Sequence, residues 1–422
     1  MAGITAEFER NLSSSALYGT TNVIQLPFRG LVEEFMVAKT RETYQYMNSR
    51  DPKVSGAGIE VRTGRKWRAA EELSIAESNL RVKAIVGVVA HGRAGLGRVP
   101  TNITRKVTTK ERQQLLQDEV RSGMEEKRLT KMVGLSQQGA WTKWNKVEHR
   151  RISWTDFWHM DFSRTRFLVE MVYDVLPSPS NLHLWGKTDT PKCPLCQERG
   201  SLRHVLSCCK KALSDGRYRW RHDKVLEAIA LIITDAVQSI KFVPGKRVIQ
   251  FVRAGTTPGK KPQEARSLLS SAPDWQLRVD LGKQLKFPTH ITSSRLRPDI
   301  VLFSDSTKQV ILLELTVPWE EHMEEAFERK LGKYQDLLDN CRVNGWRTYC
   351  FPVEIGCRGF AGQSMIRALT RLGITGQKRR KAIQLILDAV EKATRWIWIN
   401  RANEWSNAQK QTVVQIYPPN ND

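Results

Sequence analysis

The sequence predicts an α+β chain: a helical, basic N-terminal region, a small Cys/His knuckle, then a small mixed sheet flanked by helices. Three observations carry this. Apolar residues recur at helical spacing through 28–46 and 66–88. Four of the seven cysteines cluster at 193–209 with metal-ligand spacing. Two apolar runs, Ile300 to Phe303 and Val310 to Val317, flank the turn-type cluster Asp305-Ser306-Thr307-Lys308.

A chain of 422 residues holds two or three domains. We divide it into 1–165 (helical and basic), 166–240 (Cys/His knuckle and a basic-aromatic segment), 241–405 (the sheet domain) and 406–422 (a polar, disordered tail). Phe28 to Tyr46 reads as an amphipathic helix with Leu31, Phe35, Met36, Thr40 and Tyr44 inward. Lys66 to Val88 reads as a second, through Trp67, Ala70, Leu73, Ile75, Ala76 and Leu80. His91 to Pro100 is a Gly-rich basic loop. Thr109 is placed to cap a helix to Val133. Val225 to Val237 is helical in pattern, and 255–262 is a flexible basic loop. Trp275 to Leu281 and Trp346 to Ile355 read as strands, and Ser364 to Leu372 as a helix. Gln377 to Trp405 reads as a long helix with Ile383, Leu385, Ile386, Ala389, Val390 and Ala393 inward.

The charge balance is unusual: 67 Lys+Arg against 44 Asp+Glu, a net +23. Such an excess points to a polyanionic partner, most simply nucleic acid. Lys143, Lys146, Arg150 and Arg151 interleave with Trp141, Trp144, Trp154 and Trp158. Bases for phosphates and aromatics for stacking suit nucleic acid, and a solvated helix followed by a Trp-rich packing patch explains the composition equally well. No run of about 18 apolar residues exists, so no membrane span is expected. Unpaired, clustered cysteines fit a reducing compartment.

Cys193 and Cys196 are followed by His204 and then by Cys208 and Cys209. Two Cys on a tight turn, with a His and a Cys beyond, can surround one tetrahedral Zn²⁺ in a structural role. A regular helix from Val205 places His204 and Cys208 on one face. Cys209, five residues on, requires the helix to bend. Both remain candidates for the fourth ligand. Arg217, Arg219 and Arg221, just beyond, read as phosphate or base contacts.

The sharpest pattern lies in the last third. If Ser306 and Thr307 form a hairpin loop, Asp305 pairs with Lys308, and outward stepping sets Asp299 opposite Glu314. Two carboxylates so placed can share a divalent cation with a phosphate. Pro318 opens a helix to about Asn340, whose stripe brings Lys330, Lys333 and Tyr334 towards the sheet. A lysine there can stabilise charge on a reacting phosphate.

Arg297-Pro298-Asp299, Glu314 and a following lysine resemble the PD-(D/E)xK nuclease core. Thr316 stands where that core usually has its lysine, so Lys330 or Lys333 is the candidate replacement. Taken with the Cys/His cluster, the order over residues 170–360 is similar to the C-terminal part of non-LTR retrotransposon proteins that carry a restriction-like endonuclease. Residues 25–100 look like, less specifically, the segment that follows the polymerase in such proteins. The resemblance implies a restriction-endonuclease-like sheet and Zn²⁺ on Cys193, Cys196, His204 and Cys209. It also implies catalytic Mg²⁺ on Asp299 and Glu314, assistance from Lys330 or Lys333 with Tyr334, DNA (and the element's RNA) as partner, and a nuclear location. No Tyr/Phe-x-Asp-Asp box occurs, so no DNA synthesis is expected of this chain, which resembles a truncated copy or C-terminal fragment. Two rivals remain: an inert, zinc-stapled nucleic-acid binder, and a zinc-dependent protein-interaction module.

Overall fold

The computed structural model describes residues 12–57, 61, 67–92, 107–239, 267–283 and 285–405. The Gly-rich stretch 93–100, the loop 255–262 and the tail 406–422 lie outside them. The fold is mixed α+β. It divides into two compact units: Met1–Gly139 with Arg151–Met160, and Ala140–Arg150 with Asp161–Asp422.

The first unit is helical. Its elements include α1 (Leu31–Met47), α2 (Ala69–Gly92), α3 (Thr109–Val133) and the short α4 (Trp154–His159). Val37 and Tyr44 of α1 pack with Leu73, Ala76 and Leu80 of α2 and with Leu116 and Val120 of α3. The cap of α3 is Thr108, one residue before the expected Thr109, in a reciprocal capping box with Glu111. The buried face of α1 is rotated from the predicted one. Leu31 is 88 % exposed, and Glu33 is buried instead. The cause is an ion pair from Arg128 of α3, whose Nη2 lies 2.7 Å from Glu33 Oε2.

The second unit is built on a five-stranded sheet ordered β1 (Gln276–Val279), β2 (Ile300–Ser304), β3 (Gln309–Thr316), β4 (Arg347–Gly356) and β5 (Phe360–Ala361). Neighbours are antiparallel except β3 and β4, which run parallel. The parallel pair requires a crossover, supplied by α7 (Met323–Lys333) and α8 (Gln335–Val343). These replace the single predicted helix, because the backbone breaks at Tyr334, with φ −104° and ψ 4°. Helices α5 (Phe162–Val172), α6 (Arg217–Ser239), α9 (Gln363–Leu372) and α10 (Gly376–Ile399) complete the main elements.

Alternation in β2 and β3 splits two cores. Ile300, Leu302, Ile311, Leu313 and Leu315 join α6, α9 and α10 on one face. Val301, Phe303, Val310 and Leu312 join Tyr334 and the α8 residues Leu337, Leu338 and Cys341 on the other. Glu314, in step with Val310 and Leu312, therefore faces the α7–α8 side.

The turn between β2 and β3 is fixed by side chains as well as by backbone. Asp274 accepts from Ser304 Oγ at 2.6 Å and from the Ser306 amide at 2.9 Å. No helix among the described residues is long and apolar enough to cross a membrane.

Candidate functional site

The hairpin register is Ser304 opposite Gln309 and Ile300 opposite Leu313. One further step outward sets Asp299 against Glu314, and the side chains meet there. The Asp299 amide donates to Glu314 Oε2 at 3.1 Å, and the Leu315 amide donates to Asp299 Oδ2 at 2.8 Å. Each carboxylate is thus tied to the other strand's backbone, which fixes their convergence.

Helix α7 completes the cluster. Lys330 Nζ lies 2.5 Å from Glu314 Oε1, and Lys333 Nζ lies 3.4 Å from the same oxygen. The Tyr334 hydroxyl donates to Glu314 Oε2 at 2.8 Å and accepts from Lys333 Nζ at 2.9 Å. All five predicted residues, Asp299, Glu314, Lys330, Lys333 and Tyr334, therefore stand together. Burial and the adjacent Glu314 charge push the Tyr334 phenol far above its ordinary range, so it remains a donor. The lysines keep contact with solvent, their side chains 20 % and 43 % exposed, while Glu314 is buried.

The structure adds two residues that the sequence reading missed. His222 of α6 places Nε2 3.3 Å from Asp299 Oδ2 and Nδ1 3.0 Å from Asp223 Oδ1. Burial alone would lower its pKa, but the two carboxylates prevail and hold it at about 9. Glu354 of β4 sits opposite Thr316 in the parallel register. The sequence carried a signal for it: a lone carboxylate inside the run Phe351-Pro352-Val353-Glu354-Ile355, the same mark that singled out Glu314.

The Cys/His cluster forms as a second site. Single donor atoms of Cys193, Cys196, His204 and Cys209 all lie within 4.8 Å of one another. Cys193 Sγ and Cys209 Sγ are 4.0 Å apart, and Cys196 Sγ and His204 Nε2 are 3.1 Å apart. A soft sulfur-rich set with one imidazole, its donor atoms this close together, suits a metal such as zinc. The fourth member of the cluster is Cys209, and Cys208 is exposed. The physical reason is a single π-helical turn, His204–Cys208, whose wider winding brings residues five apart together. Tyr218 then anchors the turn: its hydroxyl accepts from the Cys209 amide at 3.1 Å and donates to the Val205 carbonyl at 2.9 Å. Burial raises the Cys209 thiol to about 11 and lowers the His204 imidazole. Metal entry must therefore expel protons.

The basic-residue expectations divide. Arg217 and Arg221 are each 1 % exposed. Arg217 Nη1 donates to the Asn400 carbonyl at 2.7 Å, and Arg221 Nη1 to the Leu206 carbonyl at 2.9 Å. They brace the segment that carries the Cys/His cluster and the end of α10, and neither offers its guanidinium to a phosphate. Arg150 is likewise buried, 3.1 Å from Glu391. Arg219 is half-buried and pairs with Asp223. Lys146 is exposed and pairs with Glu324. Lys143 and Arg151 are exposed. Trp141 and Trp144 are core residues, and Trp154 and Trp158 keep substantial exposure.

No protein-family model matches this chain, and no curated protein matches it.

Proposed function

We propose that the second unit is a Mg²⁺-dependent, restriction-like endonuclease domain that nicks DNA, of the kind carried by non-LTR retrotransposons. The observation that carries this reading is the convergence of Asp299 and Glu314 across β2 and β3, with two lysines and a tyrosine on the same carboxylate. The order α6, three antiparallel strands, α7–α8, then a parallel β4 supports it, being the minimal scaffold of such nucleases.

The residues fit a hard divalent cation. Asp299 and Glu314 supply carboxylate oxygens, and the positive charge of Lys330 already stands at Glu314 Oε1. When bound, Mg²⁺ supplies Lewis-acid activation of the phosphodiester and a more acidic water. His222 and the Leu315 amide orient the Asp299 carboxylate. Tyr334 orients that of Glu314. Lys333, the more exposed lysine, is placed to meet charge that develops on a phosphate. The Cys₃His cluster holds a structural Zn²⁺, since no ligand position is left open. The net charge of +23 favours DNA, and the element's own RNA, as partners, with the nucleus as the place of action.

Nicking of supercoiled plasmid with Mg²⁺ or with EDTA tests this. Asp299→Ala is expected to abolish nicking while leaving DNA affinity nearly intact. Equal nicking by parent and variant overturns the assignment. A second reading, an inert zinc-stabilised binder, is favoured by Thr316 at the usual lysine position. It expects binding that falls steeply with salt and no strand breaks with Mg²⁺.

A further inference from the structure

Three carboxylates stand in a row across neighbouring strands. Asp299 opposes Glu314, and Glu354 opposes Thr316, two residues along the same face of β3. Asp299 is held by the Leu315 amide and His222 of α6, and Glu314 by the Asp299 amide, Tyr334 and the two lysines of α7. Glu354 is different. It is 2 % exposed, and among the described residues its Oε1 has no hydrogen-bond partner. Its Oε2 is held by Ser364 Oγ at 2.5 Å, which aims the carboxylate. The Thr316 hydroxyl opposite is also buried and unpartnered. A buried carboxylate oxygen without a donor costs free energy, so its retention calls for a partner that arrives in another state.

Lys330 is the lysine placed for that role: it rises from α7 onto Glu314, and Glu354 is the diagonal neighbour of Glu314 across β3 and β4. Burial pushes the Glu354 carboxyl up to about 7, with Ser364, the residue's own amide and then Lys330 opposing that rise. A cavity of about 40 Å³ lies beside Glu354, lined by Met323, Phe327, Gly362 and Ser364 and by the basic residues Lys146 and Arg367. A divalent cation and the Lys330 ammonium cannot share Glu314 Oε1 without strong repulsion.

We propose that Glu354 is a positioning residue that receives Lys330 when a divalent cation takes Glu314. The hand-over rests on the Mg²⁺ reading above. It explains how a core without a lysine at 316 retains a lysine at the site after the cation binds. Lys330 leaves Glu314 Oε1 and is fixed by Glu354 beside Thr316, where a strand lysine would otherwise stand.

The test is a double-variant cycle read by calorimetric titration of Mg²⁺ (and of Mn²⁺ by its spin signal), without DNA. Glu354→Gln keeps shape and removes charge. It is expected to weaken cation affinity about tenfold in the parent, and under about twofold in a Lys330→Ala background, because no lysine then needs an acceptor. Melting temperatures check that every variant is folded. Equal weakening in both backgrounds makes Glu354 a metal ligand and overturns the hand-over. No weakening in the parent makes it structural and also overturns it. If the folded parent takes up no cation at all, the Mg²⁺ reading itself fails, which the heats distinguish from the two preceding results.

Discussion

Glu314 and Glu391 are both buried carboxylates of the second unit, but they are neutralised in different ways. Glu391 of α10 is held by two arginines: Arg150 Nη1 at 3.1 Å and Arg164 Nε at 2.7 Å, with Arg164 also reaching Asp388 at 2.6 Å. Guanidinium forks match carboxylates rigidly and do not give up their protons. Glu314 is held instead by two lysines and a phenol, and shares its surroundings with Asp299 and Glu354. Lysine is a compact point charge on a flexible stem, easily exchanged for another cation. The first arrangement staples helices. On the proposed reading, the second keeps a place for a cation and fills it with one of the chain's own. The Cys₃His cluster is a third case, four donors gathered within 4.8 Å of one another.

That ordering sets the sizes of effect. Loss of metal from the Cys₃His cluster should be the largest, because metal-linked folding free energy in such modules reaches about 10 kcal/mol. Atomic absorption should find one zinc per chain. Cys209→Ser should lose it and unfold the knuckle, and Cys208→Ser should keep it. Retention of zinc by the first variant, or its loss from the second, breaks the assignment of the ligand set.

Next comes Arg164→Ala, which strands Glu391 between partners of reduced number. A buried pair broken on one side costs about 3–5 kcal/mol. Urea unfolding measures it, and added Mg²⁺ should restore nothing. Lys330→Ala should cost less, about 2 kcal/mol, since Lys333, Tyr334 and the Asp299 amide still reach Glu314. Here millimolar Mg²⁺ should return the lost stability by mass action. A Lys330→Ala protein indifferent to Mg²⁺, or an Arg164→Ala protein rescued by it, would erase the distinction between the two carboxylates.

How much of this was legible depends on whether the determining physics is local. The β2–β3 register could be read, because a four-residue turn and alternating side chains fix it within twenty residues. The α7 stripe could be read for Lys330 and Tyr334, although not the break at Tyr334. What required the third dimension was long-range. Glu33 faces inward because Arg128 meets it from 95 residues away. Arg217 and Arg221 looked like phosphate contacts because a run of bases and aromatics does not say which of its members are buried. Their acceptors, the carbonyls of Asn400 and Leu206, carry no sequence signal. Cys209 rather than Cys208 joins the cluster, as the family resemblance implies, through a π turn that the 3.6-residue rule does not foresee.

The smallest expected effect is one of slope. The Glu391 carboxyl is held below its ordinary range: burial works against this, and Arg150 and Arg164 outweigh it. A carboxyl depressed in the folded state contributes stability that is present above the unfolded value, about 4.3, and lost as pH falls through the folded one. The stability difference between the parent and Glu391→Gln should therefore be greatest near neutrality and should close as pH drops below about 4. Melting curves from pH 7 to 3 give the measurement. A difference that stays constant over that range would mean that Arg150 and Arg164 contribute packing rather than charge at this position. The contrast between an arginine-locked carboxylate and a lysine-tended one would then rest on geometry alone.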